Sequence, residues 1–309
     1  MSGVRIISID GGGIKGFLPA LVLAVMESSP GSSIGSMADM LAGTSTGAIL
    51  ALGLAAGIPA LEMANFYRSK GPAIFRRSWG KRLRSCFGVA DEQYSNDGLH
   101  TGLREIFGNK KLSDLATPCM AVAYEIETRQ AVFFTSWDAK RDPHRDFTLV
   151  DAAMASAAAP TYFEPWAAMS VAGDRLACID GGVAANDPAL CAMVEALKAG
   201  HPIESIRLVS LGTGREDRAY LLKRARNWGF AAWARPLLDI LFAAASDITD
   251  HHCRHMLPGR YVRLQQDFSE PVGMDQTDDT AWAVMRMCAR KIMERDEFEA
   301  ALRLLKGEA

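Results

Sequence analysis

The chain has 309 residues, 49% of them hydrophobic and 23% charged, which is enough for one large α/β domain or two small ones around a substantial core. Its 34 basic and 36 acidic side chains leave a formal net charge of −2, excluding a global field that would recruit DNA or RNA. The six cysteines form no C-x-x-C pair and several lie in apolar runs, so they read as free thiols of a reducing, cytoplasmic compartment.

The first ten residues are not a signal peptide, because an acid and then glycines arrive before any adequate apolar core. No stretch reaches the ~20 apolar residues of a membrane span. Trp228 to Ala245 comes nearest and is interrupted by Arg235, Pro236 and Asp239. The expectation is a soluble protein able to touch a membrane surface.

Val4 to Ile9 is a short, nearly continuous apolar run and predicts a strand buried on both faces. It ends at Asp10 and opens into Gly11-Gly12-Gly13-Ile14-Lys15-Gly16, with a helix predicted from Phe17 to Glu27. Strand, glycine loop and helix together make an anion site of backbone N–H groups. Gly11, Gly13 and Gly16 satisfy G-x-G-x-x-G, a dinucleotide fingerprint. Equally, the N–H groups of Gly11, Gly12 and Gly13 can form an oxyanion hole.

The next stretch separates these readings. Gly43-Thr44-Ser45-Thr46-Gly47 is the G-x-S-x-G of a nucleophile elbow, a serine on a sharp strand-to-helix turn. Met40 to Ala42 ends the strand before it and Ala48 to Ala56 forms an apolar helix after it. Glycines two residues either side of Ser45 let backbone pass close to the turn. Ser45 lies one strand–helix unit beyond the glycine loop, so the two sit at adjacent strand ends. A dinucleotide site wants an acid ending the second strand, and Glu27 and Asp39 are both misplaced for that. The spacing favours the oxyanion reading.

Pro59 to Lys70 reads as a helix. From Met63 to Ala90 there is no acidic residue, yet Arg68, Lys70, Arg76, Arg77, Lys81, Arg82 and Arg84 fall there, interleaved with Phe66, Tyr67, Phe75, Trp79 and Phe87. This segment is either a solvated cap with inward aromatics or a contact surface for lipid headgroups or a nucleotide. Asn96 caps a helix running to Phe107. Cys119 to Ile126 and Ala131 to Thr135 predict paired strands, and Leu149 to Ala158 a small-residue helix ended by Pro160.

The apolar run Leu176 to Ile179 leads into Asp180-Gly181-Gly182. Asp180 is the best candidate for a base, although taken alone Asp-Gly reads as a turn. Asp187-Pro188 starts a helix to Ala199, Ile206 to Leu211 is another buried strand, and Tyr261 to Leu264 a last short one. Trp228 to Ala245 reads first as a core helix or helix pair. Its rival role is an interfacial or oligomer surface beside the site, made credible by the basic run Arg215 to Arg226 before it. His251, His252 and His255 follow Asp180 in the order of a conventional Ser–Asp–His triad. They fall in Asp247 to Leu257, which reads as a polar helix with a solvated face. His100, His144 and His201 show no metal-ligand spacing, so no metal or other cofactor is expected. Residues 277–306 predict amphipathic helices that close the domain.

Three motifs, Asp10 to Gly16, Gly43 to Gly47 and Asp180-Gly181-Gly182, together resemble the patatin-like phospholipase family. Ala155-Ser156-Ala157-Ala158-Ala159-Pro160-Thr161-Tyr162-Phe163 and Ser210-Leu211-Gly212-Thr213-Gly214 also match, and the resemblance covers roughly residues 4–265. It implies one domain over 1–309, a three-layer α/β/α fold with a mostly parallel central sheet, and a C-terminal helical extension. It implies Ser45 as nucleophile, Asp180 as base without histidine, and the Gly11–Gly13 loop as oxyanion hole. Lys15 stands where the family usually has arginine, keeping the charge that supports this loop but losing the bidentate fork. The implied substrate is a membrane phospholipid, reached by peripheral contact at the inner membrane. Arg5 to Gly13 and Ser95-Asn96-Asp97-Gly98-Leu99 are similar to a bacterial branch with members activated by cyclic di- or trinucleotides in antiphage defence. A catalytically silent binder would need a degenerate dyad, and both members are present. For Asp180 to act as base, a partly dry pocket must raise its pKa.

Overall fold

The computed structural model describes residues 3–28, 32–76, 94–216 and 219–308. Its centre is an eight-stranded sheet of β1 (Val4–Ile9), β2 (Met40–Thr44), β3 (Cys119–Glu125), β4 (Gln130–Thr135), β5 (Trp166–Met169), β6 (Arg175–Asp180), β7 (Ile206–Leu211) and β8 (Tyr261–Leu264). Seven of these run in the order β5-β6-β3-β2-β1-β7-β8, and β4 pairs with β3. The segment β3-β2-β1-β7-β8 is parallel throughout, while β4 and β6 run antiparallel to β3.

The continuous apolar strands follow from burial on both faces. Ile7, Ile9, Leu41, Ala121, Val209 and Leu211 point into one core, whereas Ile6, Met40, Ala42, Met120, Val122 and Leu208 point into the other. This two-residue alternation places helices on both sides of the sheet. The larger core is closed by α1 (Phe17–Met26), α2 (Thr46–Ala55), α3 (Ala60–Ile74), α4 (Asn96–Phe107) and α5 (Leu149–Ala157). The smaller one packs against α6 (Ala189–Lys198) and the end of α7 (Phe230–Met256), through Ala192, Met193, Cys253 and Leu257. The final helices α8 (Asp279–Met293) and α9 (Asp296–Lys306) join the larger core through Trp282, Met285, Phe298 and Leu304.

Three local expectations are corrected. The cap of α4 is Ser95, whose hydroxyl accepts the Asp97 N–H, and Asn96 is the first helical residue. Helix α3 does not stop at Lys70 but runs through Pro72 to Ile74, because buried Gly71 and Ile74 hold the last turn on the core. Trp228 to Ala245 is not a helix pair or a fully buried helix: from Phe230 it joins the polar stretch after it in the single 27-residue helix α7, most of whose described residues before Ala245 are exposed. The interleaved residues 77–93 lie outside the described residues. Of the aromatics before them, Phe66 and Tyr67 are buried, and Lys70 is paired with Glu105.

Candidate active site

The geometry turns on how β3 is shared. Val122 pairs with Thr44 of β2 and with Phe133 of β4, while the next residue, Ala123, pairs with Asp180 of β6 and with Val132 of β4. Strand β4 therefore occupies one edge of β3, and on the other edge β6 takes over where β2 ends. The chain leaving β2 enters the elbow at Ser45, and β6, arriving from the opposite direction, delivers Asp180 to the same point. Ser45 and Asp180 meet across that junction and line the same cavity, with the Ser45 hydroxyl near enough to the carboxyl to lower its pKa.

Ser45 has φ 56° and ψ −124°, a strained conformation for a residue with a Cβ, between β2 and α2. A Cβ on Gly43 would lie 2.1 Å from the Gly47 carbonyl oxygen, and one on Gly47 would lie 2.1 Å from that of Ile9. The elbow closes only because both are glycine. Its amide is anchored by Ser156 of α5: the Ser45 N–H donates to Ser156 Oγ at 2.8 Å, and that hydroxyl donates to the Val122 carbonyl. On the helix side, the Thr46 hydroxyl donates to Tyr67 Oη at 2.7 Å, and the Tyr67 hydroxyl donates to the Thr46 carbonyl at 2.9 Å.

Asp180 is 1% exposed, and burial pushes its carboxyl up to about 6, against the opposing pull of the nearby Ser45 hydroxyl and the Gly182 N–H. The Gly182 bond to Asp180 Oδ1 is 2.7 Å long and leaves the other oxygen for a partner. The cavity on which Ser45 and Asp180 open is walled by apolar side chains, including Ile14, Phe66, Phe75, Leu99 and Phe163, with Phe242 of α7 over it.

The glycine loop lies against the same cavity, but its three amides differ. The Gly11 N–H donates to the Asn186 carbonyl at 3.0 Å, so it is spent on holding the loop. Among the described residues no acceptor takes the N–H of Gly12 or Gly13, and both residues line the cavity beside Ser45. Lys15 does not reach this cavity. It faces the polar cleft behind the loop, with Nζ 6.0 Å from the centre of the Phe268 ring, and burial lowers its pKa while Glu216 and Asp239 raise it.

Behind the loop is a network that sequence reasoning missed. Arg263 of β8 is buried and grips Asp10 with both terminal nitrogens, Nη1 reaching Oδ1 at 2.6 Å. The same Nη1 lies 3.1 Å from Asp187 Oδ2, and Ser8 and Ser210 donate to Asp187 at 3.1 and 3.0 Å. Burial pushes Asp10 up to about 7, Arg263 pulls it down and Asp187 pushes it up further. Burial opposes the charge on Arg263, but Asp10 and Asp187 outweigh it and hold its pKa well above the usual value. The clamp joins the residue that starts the glycine loop to the segment following Asp180. Thr213 adds a bond from its hydroxyl to the Gly11 carbonyl at 2.8 Å. A carboxylate directly before a glycine loop was the one visible signal; Arg263 in a short strand over 250 residues away gave none.

The conventional triad is not assembled. His251, His252 and His255 lie on the exposed side of α7, with the His251 and His255 rings 4.3 Å apart, and no histidine lines the Ser45 cavity among the described residues.

The sequence profile described as Patatin-like phospholipase matches residues 7–193, from β1 through Asp180 into α6. The chain belongs to the patatin-like phospholipase family. Patatin-like protein 2 of Arabidopsis thaliana is 32% identical, over 85% of this chain and 76% of its own. A cGAMP-activated phospholipase of Pseudomonas aeruginosa is also 32% identical, over 90% of this chain and 83% of its own. Among solved structures, VipD from Legionella pneumophila shares the fold with a TM-score of 0.51 at 13% identity, over 99% of this chain and 67% of that one. The patatin-like fold is thus a mixed α/β arrangement on a mostly parallel sheet, and the family assigns lipid ester hydrolysis as the class of activity.

Proposed function

We propose that this chain is a phospholipase A-type acyl hydrolase working through a Ser45–Asp180 dyad. The observation that carries the reading is a serine on a strained elbow placed beside a buried carboxyl, both at the wall of one apolar cavity. The cavity takes the acyl chain. Ser45 Oγ attacks the ester carbonyl carbon while its proton passes to Asp180, and the carbonyl oxygen becomes the oxyanion held by the Gly12 and Gly13 amides. When the tetrahedral intermediate collapses, the bond to the lysolipid oxygen breaks and Asp180 returns the proton to that oxygen. Water then gives its proton to Asp180 and its oxygen to the acyl carbon, and the fatty acid leaves with Ser45 restored. A carboxyl raised to about 6 is a stronger base than an ordinary aspartate and still ionised at neutral pH.

The Pseudomonas relative, by its name, supports adding a regulatory step in which a cyclic dinucleotide raises this activity. Fatty-acid release from phospholipid vesicles, by wild type and Ser45→Ala, with and without cyclic dinucleotides, tests both parts. Release lost in Ser45→Ala supports the dyad, and release that rises with a nucleotide supports the switch. Equal release by both proteins refutes the mechanism; release independent of every nucleotide refutes the switch alone.

A further inference from the structure

Helix α7 has two opposite faces with different surroundings. At 3.6 residues per turn, Phe242, which lines the apolar cavity, lies about 180° around the helix from Trp233. Trp233, Leu237, Ile240, Leu241 and Ile248 fall together within about 100° of arc, and these large apolar side chains are 36 to 58% exposed. Pro236 and Asp239 occupy the flank between the two faces, where they line a cleft that shares Met274 and Tyr162 with the apolar cavity. Leu221 and Leu222, 57 and 67% exposed, lie just before the helix, and Leu221 borders that cleft. Exposed Lys223, Arg224 and Arg226 stand beside them.

A bare apolar stripe of this extent is unusual on a protein surface unless something covers it. We propose that this face is where the protein docks on an anionic lipid bilayer. The pairing of Leu221 and Leu222 with three cations matches the apolar interior and charged surface of such a membrane. The stripe itself carries no acid between Trp233 and Ile248, with Asp247 only at its edge. Docked this way, α7 lies in the interface plane and the flanking cleft opens at the bilayer, so a lipid passes around the helix to the cavity. Among the described residues no helix is long and apolar enough to cross a membrane, so contact through α7 is peripheral. The inference rests on the lipid-hydrolase reading above and names the surface that reading needs.

The test is co-sedimentation with vesicles of equimolar phosphatidylcholine and phosphatidylglycerol, and of phosphatidylcholine alone. It compares wild type, the double variant Leu237→Asp/Leu241→Asp, and the triple variant Lys223→Gln/Arg224→Gln/Arg226→Gln. Hydrolysis of a soluble short-chain nitrophenyl ester is measured in parallel as a control on folding and on the dyad. The apolar double variant should bind mixed vesicles more weakly by roughly tenfold or more, since two half-exposed leucines no longer enter the lipid. The triple variant should lose the preference for phosphatidylglycerol. Both should keep soluble-ester hydrolysis. Vesicle binding unchanged in the double variant overturns the docking surface, and a wild type that does not sediment with either vesicle does so too. A wild-type dimer in light scattering that the double variant converts to monomer, with binding unaffected, assigns the stripe to a second copy instead. Absence of ester hydrolysis in wild type would count against the dyad, while the sedimentation result would still decide the docking surface.

Discussion

Asp180→Asn should abolish hydrolysis and at the same time stabilise the fold at neutral pH. The folded carboxyl titrates near 6 against an ordinary value of 3.8, so burial favours its neutral form. A raised carboxyl pKa means the folded state is most favoured below the unfolded value. That advantage is lost as pH climbs through about 6, where the buried group ionises. At 1.36 kcal/mol for each pKa unit, the ionised group costs the folded protein about 3 kcal/mol above pH 7. The amide of D180N cannot ionise, still accepts from the Gly182 N–H and fills the same volume. Urea unfolding of both proteins at pH 4 and pH 8 reads the difference directly. The variant should match wild type at pH 4 and exceed it by about 3 kcal/mol at pH 8. The Ser45-dependent rate of wild type should rise across the same interval, because only the carboxylate can accept the proton. A variant less stable than wild type at pH 8, or a stability gap that does not change with pH, refutes the argument that a dry carboxyl drives the chemistry.

Ser156→Ala removes the acceptor of the Ser45 N–H and the donor to Val122, and should lower kcat on a short-chain ester about tenfold or more with KM little changed; unchanged kcat would show that the elbow needs no such anchor. Arg263→Met strands two buried carboxylates and should cost about 3–5 kcal/mol in urea unfolding, with partial recovery when Asp10→Asn is added. A double variant no more stable than the single one would contradict the clamp. Gly47→Ala forces a Cβ onto the Ile9 carbonyl and should destabilise by about 1–3 kcal/mol and remove ester hydrolysis; wild-type stability would show that the elbow can relax.

Much of this site could be read from local sequence because its parts are backbone devices. Gly43 and Gly47 are legible, since an elbow with close carbonyl contacts admits only glycine, and Val4 to Ile9 is legible because a strand buried on both faces is apolar throughout. The pairing of Ser45 with Asp180 came from the resemblance; taken alone, Asp180 looked like a turn. The division of β3 between β2 and β6 that brings them together is a matter of register over 135 residues of chain. Arg263 was invisible because a cation in a four-residue strand looks like any edge residue until its partners are known. The Gly11 amide could not be told from its neighbours, since only the fold shows that Asn186 already occupies it. Helix α7 misled for a physical reason: a strongly apolar run signals burial, and here the burial partner is not within this chain's described residues.

The proposed dyad also explains why the sheet is built as a junction. A histidine base can swing on its own side chain to meet a serine, but an aspartate is short, so the backbone must bring it within reach. Here β6 runs against β3 in the gap left by β2, and Gly181 passes so close that a Cβ would lie 2.2 Å from the Val122 carbonyl oxygen. Ser156 bonds the same carbonyl and the elbow amide, while its own carbonyl accepts the Gly181 N–H at 3.2 Å. One residue of β3 and one of α5 thereby fix the elbow and the carboxylate relative to each other. The tight, dry packing that makes a short side chain sufficient is also what raises its pKa, so positioning and basicity have a common structural cause.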